Sequence, residues 1–130
     1  MILFDTDVCI EILRGNKKVI QKRSAYSGEI AISFMTAAEL YYGAENSQNP
    51  AENKVLVDKF LLTVEIVHTD ISILKRFGEI KSALKLKKSP LPDADLFIGS
   101  TALEKSKALI TGNTKHFKKI PDLKIENWIR

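Results

Sequence analysis

The sequence predicts an α/β sandwich on a mostly parallel sheet of about five short strands. Three observations carry that reading. Short apolar runs recur at residues 2–4, 30–33, 64–67, 108–111 and 123–126, each too short for a helix. Between most of them lie longer segments with helical spacing and recognisable caps, and strands alternating with helices imply parallel pairing through crossovers. The chain has 130 residues, 45% hydrophobic and 28% charged, which is ordinary globular composition. With no repeat, low-complexity stretch or linker, residues 1–130 read as one domain.

Ile2-Leu3-Phe4 reads as a buried strand. Thr6 or Asp7 then caps a helix that turns Val8, Ile12 and Leu13 inward, and Gly15-Asn16 ends it. A second helix runs to about Tyr26, and Ser27-Gly28 makes a turn. Residues 30–33 form the second strand and 36–45 a helix opened by the capping box Thr36-Ala37-Ala38-Glu39. After a loop at 46–50, a helix over 51–62 places Leu56 and Phe60 on its inner face. Residues 64–67 are the third strand. Asp70 caps a long helix whose stripe, Ile73, Phe77, Ile80 and Leu84, is spaced 4, 3 and 4. Ser89-Pro90-Leu91-Pro92 breaks it, and Asp93 opens a helix reaching about Lys105. Residues 108–111 and 123–126 are the last two strands.

Composition excludes several classes. No apolar run reaches the ~18 residues of a membrane span. The N-terminus turns acidic at Asp5 and lacks the basic and apolar regions of a secretory signal. Cys9 is the only cysteine, so no intrachain disulfide or Cys-rich zinc site forms, and its place on the first helix assigns it to the core. The expectation is a soluble cytoplasmic protein. The absence of a Gly-rich Lys-Ser/Thr loop excludes a P-loop enzyme. Net charge is +4, with lysine-rich stretches at 71–88 and 105–119. Such patches attract polyanions, although lysines also simply solvate helix faces.

Right-handed crossovers gather the strand ends on one edge, where such folds bind ligands. Asp5 follows the first strand, Glu39 lies early in the helix after the second, Asp93 and Asp95 open the helix after Pro92, and Asn113 follows the fourth strand. Crowded carboxylates repel one another, and a hard divalent cation such as Mg²⁺ or Mn²⁺ relieves the repulsion through oxygen ligands. Such a site activates water against a phosphodiester. Each residue also has a purely structural role open to it. Asp5-Thr6-Asp7 is N-cap chemistry, Glu39 completes a capping box, Asp93 and Asp95 favour a helix N-terminus, and Asn113 caps a short helix at 114–117.

Four motifs then stand together in order. Met1-Ile2-Leu3-Phe4-Asp5-Thr6-Asp7-Val8 resembles the opening of PIN-domain proteins, above all VapC-type toxin ribonucleases. Ile32-Ser33-Phe34-Met35-Thr36-Ala37-Ala38-Glu39-Leu40-Tyr41-Tyr42-Gly43 is similar to that family's second motif. Leu91-Pro92-Asp93-Ala94-Asp95-Leu96-Phe97-Ile98-Gly99-Ser100-Thr101-Ala102 resembles the third and Leu109-Ile110-Thr111-Gly112-Asn113-Thr114-Lys115-His116-Phe117 the fourth. The segment from Ile120 to Trp128 resembles the closing one.

The resemblance implies a three-layer PIN-like sandwich and a Mg²⁺- or Mn²⁺-dependent endoribonuclease, the toxin of a toxin–antitoxin pair, acting on structured RNA such as tRNA. By motif position it makes Asp5, Glu39 and Asp95 the acidic core, with Asn113 where many relatives carry a fourth acid. Asp93 is a further candidate metal ligand, and Thr6 and Thr111 support the site through their hydroxyls. Gly99 and Ser100 keep the small residues that allow close helix packing. Expected partners are an RNA substrate, a second copy of the chain in a homodimer, and a VapB-like antitoxin that inserts a basic residue into the acidic pocket within a toxin–antitoxin hetero-oligomer. Lys115, Lys118 and Lys119 are candidate RNA contacts. His68 and His116 have no partner at metal-ligand spacing, although His116 is placed to touch RNA, and packing or dimer contact is the expected role of Tyr41, Tyr42, Phe117 and Trp128. Two other readings compete. One is a catalytically silent PIN-like RNA-binding module. The other is a CheY-like phosphoacceptor, which lacks its acceptor Asp and following Lys after the strands at 30–33 and 64–67.

Overall fold

The computed structural model describes residues 1–130. Five strands form one sheet: β1 (Ile2–Phe4), β2 (Ile30–Ser33), β3 (Glu65–Val67), β4 (Leu109–Ile110) and β5 (Ile125–Glu126). Their order is β3-β2-β1-β4-β5, and every pairing is parallel. The chain winds outward from β1 to β2 and β3 on one side and returns to β4 and β5 on the other. The strand order therefore reverses between β1 and β4, where a crevice opens beyond the strands' C-terminal ends.

Seven helices cover the two faces: α1 (Thr6–Leu13), α2 (Lys17–Ala25), α3 (Phe34–Glu45), α4 (Pro50–Leu61), α5 (Ile71–Leu86), α6 (Asp93–Lys105) and α7 (Thr114–Phe117). Because strand side chains alternate, Ile2, Phe4, Ile32 and Ile110 join Val8, Val19, Leu40, Phe60 and Trp128 on one face. Leu3, Ala31 and Leu109 join Ile80, Leu84, Leu96, Ile98 and Phe117 on the other. These two cores make the three layers. Cys9 and Phe117 are fully buried, and Trp128 stacks edge-on against Phe4, with centroids 5.4 Å apart. Gly99 lets α6 lie close to the segment after α7, because a Cβ there would run into Ile120 Cδ1. No helix is long and apolar enough to cross a membrane.

Several expected boundaries move, each for a local reason. The α1 cap is Asp5 itself, whose Oδ1 accepts the Thr6 N–H at 2.8 Å; neither Thr6 nor Asp7 caps. Helix α3 begins two residues early, because Ser33 caps it by accepting the Thr36 N–H. Glu39 therefore stands in the second turn and closes no capping box. Leu56 on α4 is 46% exposed, and Val57, 4% exposed, takes its place beside Phe60, since a three-residue spacing keeps two side chains on one face. The expected cap at Asp70 is present, and Asn16 caps α2. Asp93 is the first residue of α6 and makes no cap hydrogen bond.

Candidate active site

Asp5 ends β1 and starts α1, so the strand fixes its backbone and the helix fixes its side chain. Its Oδ1 is held by the Thr6 N–H, and its Oδ2 accepts from the Thr111 hydroxyl at 2.7 Å. Thr111 follows β4, so this bond closes the crevice between β1 and β4. The same Thr111 Oγ1 accepts the Asn113 N–H at 2.9 Å, which fixes the turn leading into α7.

Helix α1 also presents Thr6, whose Oγ1 lies 2.7 Å from Glu39 Oε1 and 3.0 Å from Thr36 Oγ1. The hydroxyl donates to the carboxylate and ties α1 to α3. From α6, Asp95 faces the same space. Its Oδ2 is 2.8 Å from His116 Nδ1, and Asn113 Nδ2 lies 3.0 Å from that same ring nitrogen. Asp5, Thr6, Asp7, Glu39, Asp95, Gly112, Asn113, Lys115 and Arg130 line one open cavity of about 660 Å³.

The expected residues divide accordingly. Asp5, Glu39, Asp95, Asn113 and Lys115 come together. Asp93 does not line the cavity; its half-exposed carboxylate pairs with Lys81 of α5 at 3.0 Å, because the first residue of α6 points to the α5 side. Lys118 and Lys119 also lie outside the cavity lining, one turn further along the chain, and His68 is exposed after β3. Asn113 sits at the N-cap of α7, but its side chain makes no cap bond and turns to His116 instead.

Three participants escaped the sequence reading. His116 touches Asp95 across 21 residues, a relationship that no local spacing encodes. Asp7 reads locally as a cap, yet its Oδ2 accepts the Gly112 N–H at 2.9 Å, and its Oδ1 is buried without a hydrogen-bond partner. The two acids of Asp5-Thr6-Asp7 at one strand end were the available signal for it. Arg130 is the third, brought in from beyond β5.

Electrostatics set the character of the cavity. Burial, followed by the neighbouring charge of Asp7, pushes the Asp5 carboxyl up to about 7; the Thr111 and Thr6 bonds oppose that rise, and Asp95 adds to it. Burial also raises Asp7, against the Gly112 hydrogen bond. No three His, Cys, Asp or Glu side chains converge as a ready-made chelate. Glu39 and Asp95 are held by Thr6 and His116.

A PIN domain model matches residues 2–123. The chain belongs to the PIN-domain family. Its similarity to VapC proteins spans nearly the whole of both chains. It is 32% identical to Ribonuclease VapC2 of Rickettsia felis, over 97% of this chain and 96% of that one. It is 28% identical to the tRNA(fMet)-specific endonuclease VapC of Shigella flexneri, again over 97% and 96%. Among solved structures, VapBC2 from Rickettsia felis bound to a promoter DNA fragment superposes with a TM-score of 0.91 at 32% identity, covering 98% of this chain and 99% of that one. VapBC from Salmonella typhimurium, also bound to DNA, gives 0.92 at 28% identity, over 98% and 97%. The all-parallel five-stranded sheet of this PIN domain is the fold of those complexes.

Proposed function

We propose that this PIN domain is the toxin of a VapBC-type pair, a cytoplasmic endoribonuclease dependent on Mg²⁺ or Mn²⁺ that cleaves structured RNA, with tRNA the first candidate substrate. The observation that carries the reading is the buried Asp5 at the β1–β4 crevice, facing Glu39 and Asp95 in an open cavity. The names of the relatives, ribonuclease and tRNA(fMet)-specific endonuclease, support the same chemistry.

The donor set fits a hard cation. All the acidic groups are oxygen donors, burial raises the Asp5 carboxyl to about 7 so that a cation competes with its proton, and Asp7 keeps one buried oxygen unpartnered. The lack of a closed chelate fits an ion that retains several waters. Asp5, Glu39 and Asp95 would hold it, with Asn113 a weaker neutral ligand. When bound, the cation supplies Lewis acidity and a more acidic water for attack on phosphorus. The protein's own part is orientation. Thr111 and the Thr6 N–H fix both oxygens of Asp5, Thr6 fixes Glu39, and His116 fixes Asp95. Water rather than the 2′-hydroxyl attacks. The P–O3′ bond breaks, and the products carry a 5′-phosphate and a 3′-hydroxyl.

An apolar groove of roughly 320 Å³ between α1, α3 and α4, lined by Leu13, Leu40, Leu56 and Val57, adjoins the cavity. The two share Ile10 and Glu39. A VapB-like antitoxin helix laid in this groove would bring a basic side chain to the carboxylates, a helix-in-groove mode. Exposed apolar residues elsewhere, among them Tyr42 and Val55, support a homodimer. The deciding experiment incubates purified protein with total tRNA, with and without Mg²⁺ or Mn²⁺. Cleavage that is abolished by chelation and leaves 5′-phosphate ends is the expected result. Metal-independent cleavage, or none with either ion, would reject the reading.

A further inference from the structure

The cavity has a second side that the carboxylate chemistry does not use. Asp5 and Glu39 come from the β1–β2 side of the crevice. Two cations, Lys115 and Arg130, come from the β4–β5 side. Lys115 is exposed on α7. Arg130 arrives on a segment that is held in place: Asn127 Oδ1 accepts the N–H groups of both Ile129 and Arg130, at 2.8 and 3.0 Å, and Ile129 packs on the core.

The guanidinium donates one bond, from Nη1 to the Gly112 carbonyl at 2.9 Å, and its charge favours the Asp7 carboxylate nearby without a direct ion pair within 4 Å. Gly112 is thus gripped at both backbone groups, by Asp7 on its N–H and by Arg130 on its carbonyl. A Cβ at Gly112 would come within 2.8 Å of Ile129 Cδ1 and 2.9 Å of Asp7 Oδ2, so a larger residue there would push both side chains aside. The result is a fixed guanidinium, with most of its donors free, on the rim of an acidic cavity. An arginine serving as an internal substitute for a cation would sit on Asp5, Glu39 or Asp95. This one is anchored to a carbonyl instead, and its free N–H groups match the paired oxygens of a phosphate.

We propose that Arg130, assisted by Lys115, is a catalytic residue that binds a phosphate of the substrate RNA strand, leaving the opposite carboxylates to the cation. This rests on the ribonuclease reading above. A phosphodiester bound between the two sides has its charge offset from both, and the anchored guanidinium strengthens its contact as charge builds on the phosphoryl oxygens.

Two measurements test it. In the first, cleavage is compared among the unmodified protein, Arg130→Gln, which removes the charge and keeps a polar amide, and Arg130→Lys, which keeps the charge. A loss of at least about tenfold in kcat/KM for Arg130→Gln is expected, equivalent to ~1.4 kcal/mol, with partial recovery in Arg130→Lys and unchanged melting temperatures. Equal activity of Arg130→Gln and the unmodified protein overturns the proposal, and so does faster cleavage, which would mark Arg130 as an inhibitor acting within its own chain. The second needs neither metal nor turnover. Inorganic phosphate is titrated into ¹⁵N-labelled Asp5→Asn protein, where one fewer carboxylate charge opposes an anion. A saturable shift of the Arg130 Nε–H resonance, absent with sodium chloride at equal ionic strength, is expected. No shift, or the same shift with chloride, overturns the phosphate assignment even if the protein cleaves RNA. A saturable shift in a protein that cleaves no RNA upholds the subsite and rejects the ribonuclease reading.

Discussion

Thr111 Oγ1 donates to Asp5 Oδ2 at 2.7 Å across 106 residues of sequence. The bond spans the seam where the strand order reverses, and it joins the ends of β1 and β4 directly. An acid in that seam is desolvated by the sheet and by both flanking turns. Its burial, its raised pKa and its place at the floor of the cavity share that one origin.

Asp5→Asn should abolish RNA cleavage and leave the fold intact. Asparagine caps a helix about as well as aspartate, so the Thr6 N–H keeps its acceptor. The substitution removes a carboxylate crowded by Asp7 and Asp95, and the metal-free melting temperature should hold or rise. Circular dichroism beside a cleavage assay checks both, and full activity in the folded variant would contradict the site.

The metal-free protein should lose stability as pH rises from about 4 to about 7. Asp5 has its folded value raised from 3.8 to about 7, so in that window the folded state holds a proton that the unfolded state has released. Stability from this group is present below 3.8 and declines by up to about 1.4 kcal/mol per pH unit above it. Divalent-ion affinity should rise over the same range, because binding must displace that proton. Urea unfolding at several pH values, repeated on Asp5→Asn, is the check; the Asp5 contribution to the slope should vanish in the variant.

His116→Ala should leave the fold in place and weaken divalent-ion affinity by ~10–100-fold, the usual scale for removing a group that orients a ligand. The ring fixes Asp95 Oδ2 at 2.8 Å and does not itself line the cavity. Isothermal titration with Mn²⁺ reads this directly, and unchanged affinity would place the ring in a packing role only.

Asp93→Asn should change cleavage by no more than about twofold, the rate equivalent of ~0.5 kcal/mol. Its carboxylate pairs with Lys81 at half-exposed positions, where an ion pair contributes little. A loss as large as that of Asp5→Asn would return Asp93 to the metal site.

A peptide from the partner antitoxin that carries a basic anchor should inhibit cleavage, and excess Mn²⁺ should partly relieve the inhibition. The groove and the cavity share Ile10 and Glu39, so an apolar helix in one places a cation in the other. Each charge-assisted hydrogen bond is worth roughly 1.5–3 kcal/mol, so removing the anchor should cost more than removing one rim contact. Inhibition indifferent to both metal and anchor would locate the contact elsewhere.

Periodicity, turn residues and caps were enough to place the strands and helices of this chain, because those signals act over a few residues. The stripe at Ile73, Ile80 and Leu84 and the caps at Asn16 and Asp70 belong to that local level. So does the delivery of Asp5, Glu39, Asp95 and Asn113 to one edge, which parallel crossovers dictate once the strands are known. Which side chains touch was decided only by the tertiary structure. Asp93 and Asp95 are two residues apart, yet one faces Lys81 and the other His116. Asp7 looks like a cap but grips Gly112, and Arg130 reaches the cavity from beyond the far strand. Those contacts depend on strand order and on how α5, α6 and α7 rotate against one sheet. Packing both cores at once fixes that rotation, and no short stretch of sequence contains it.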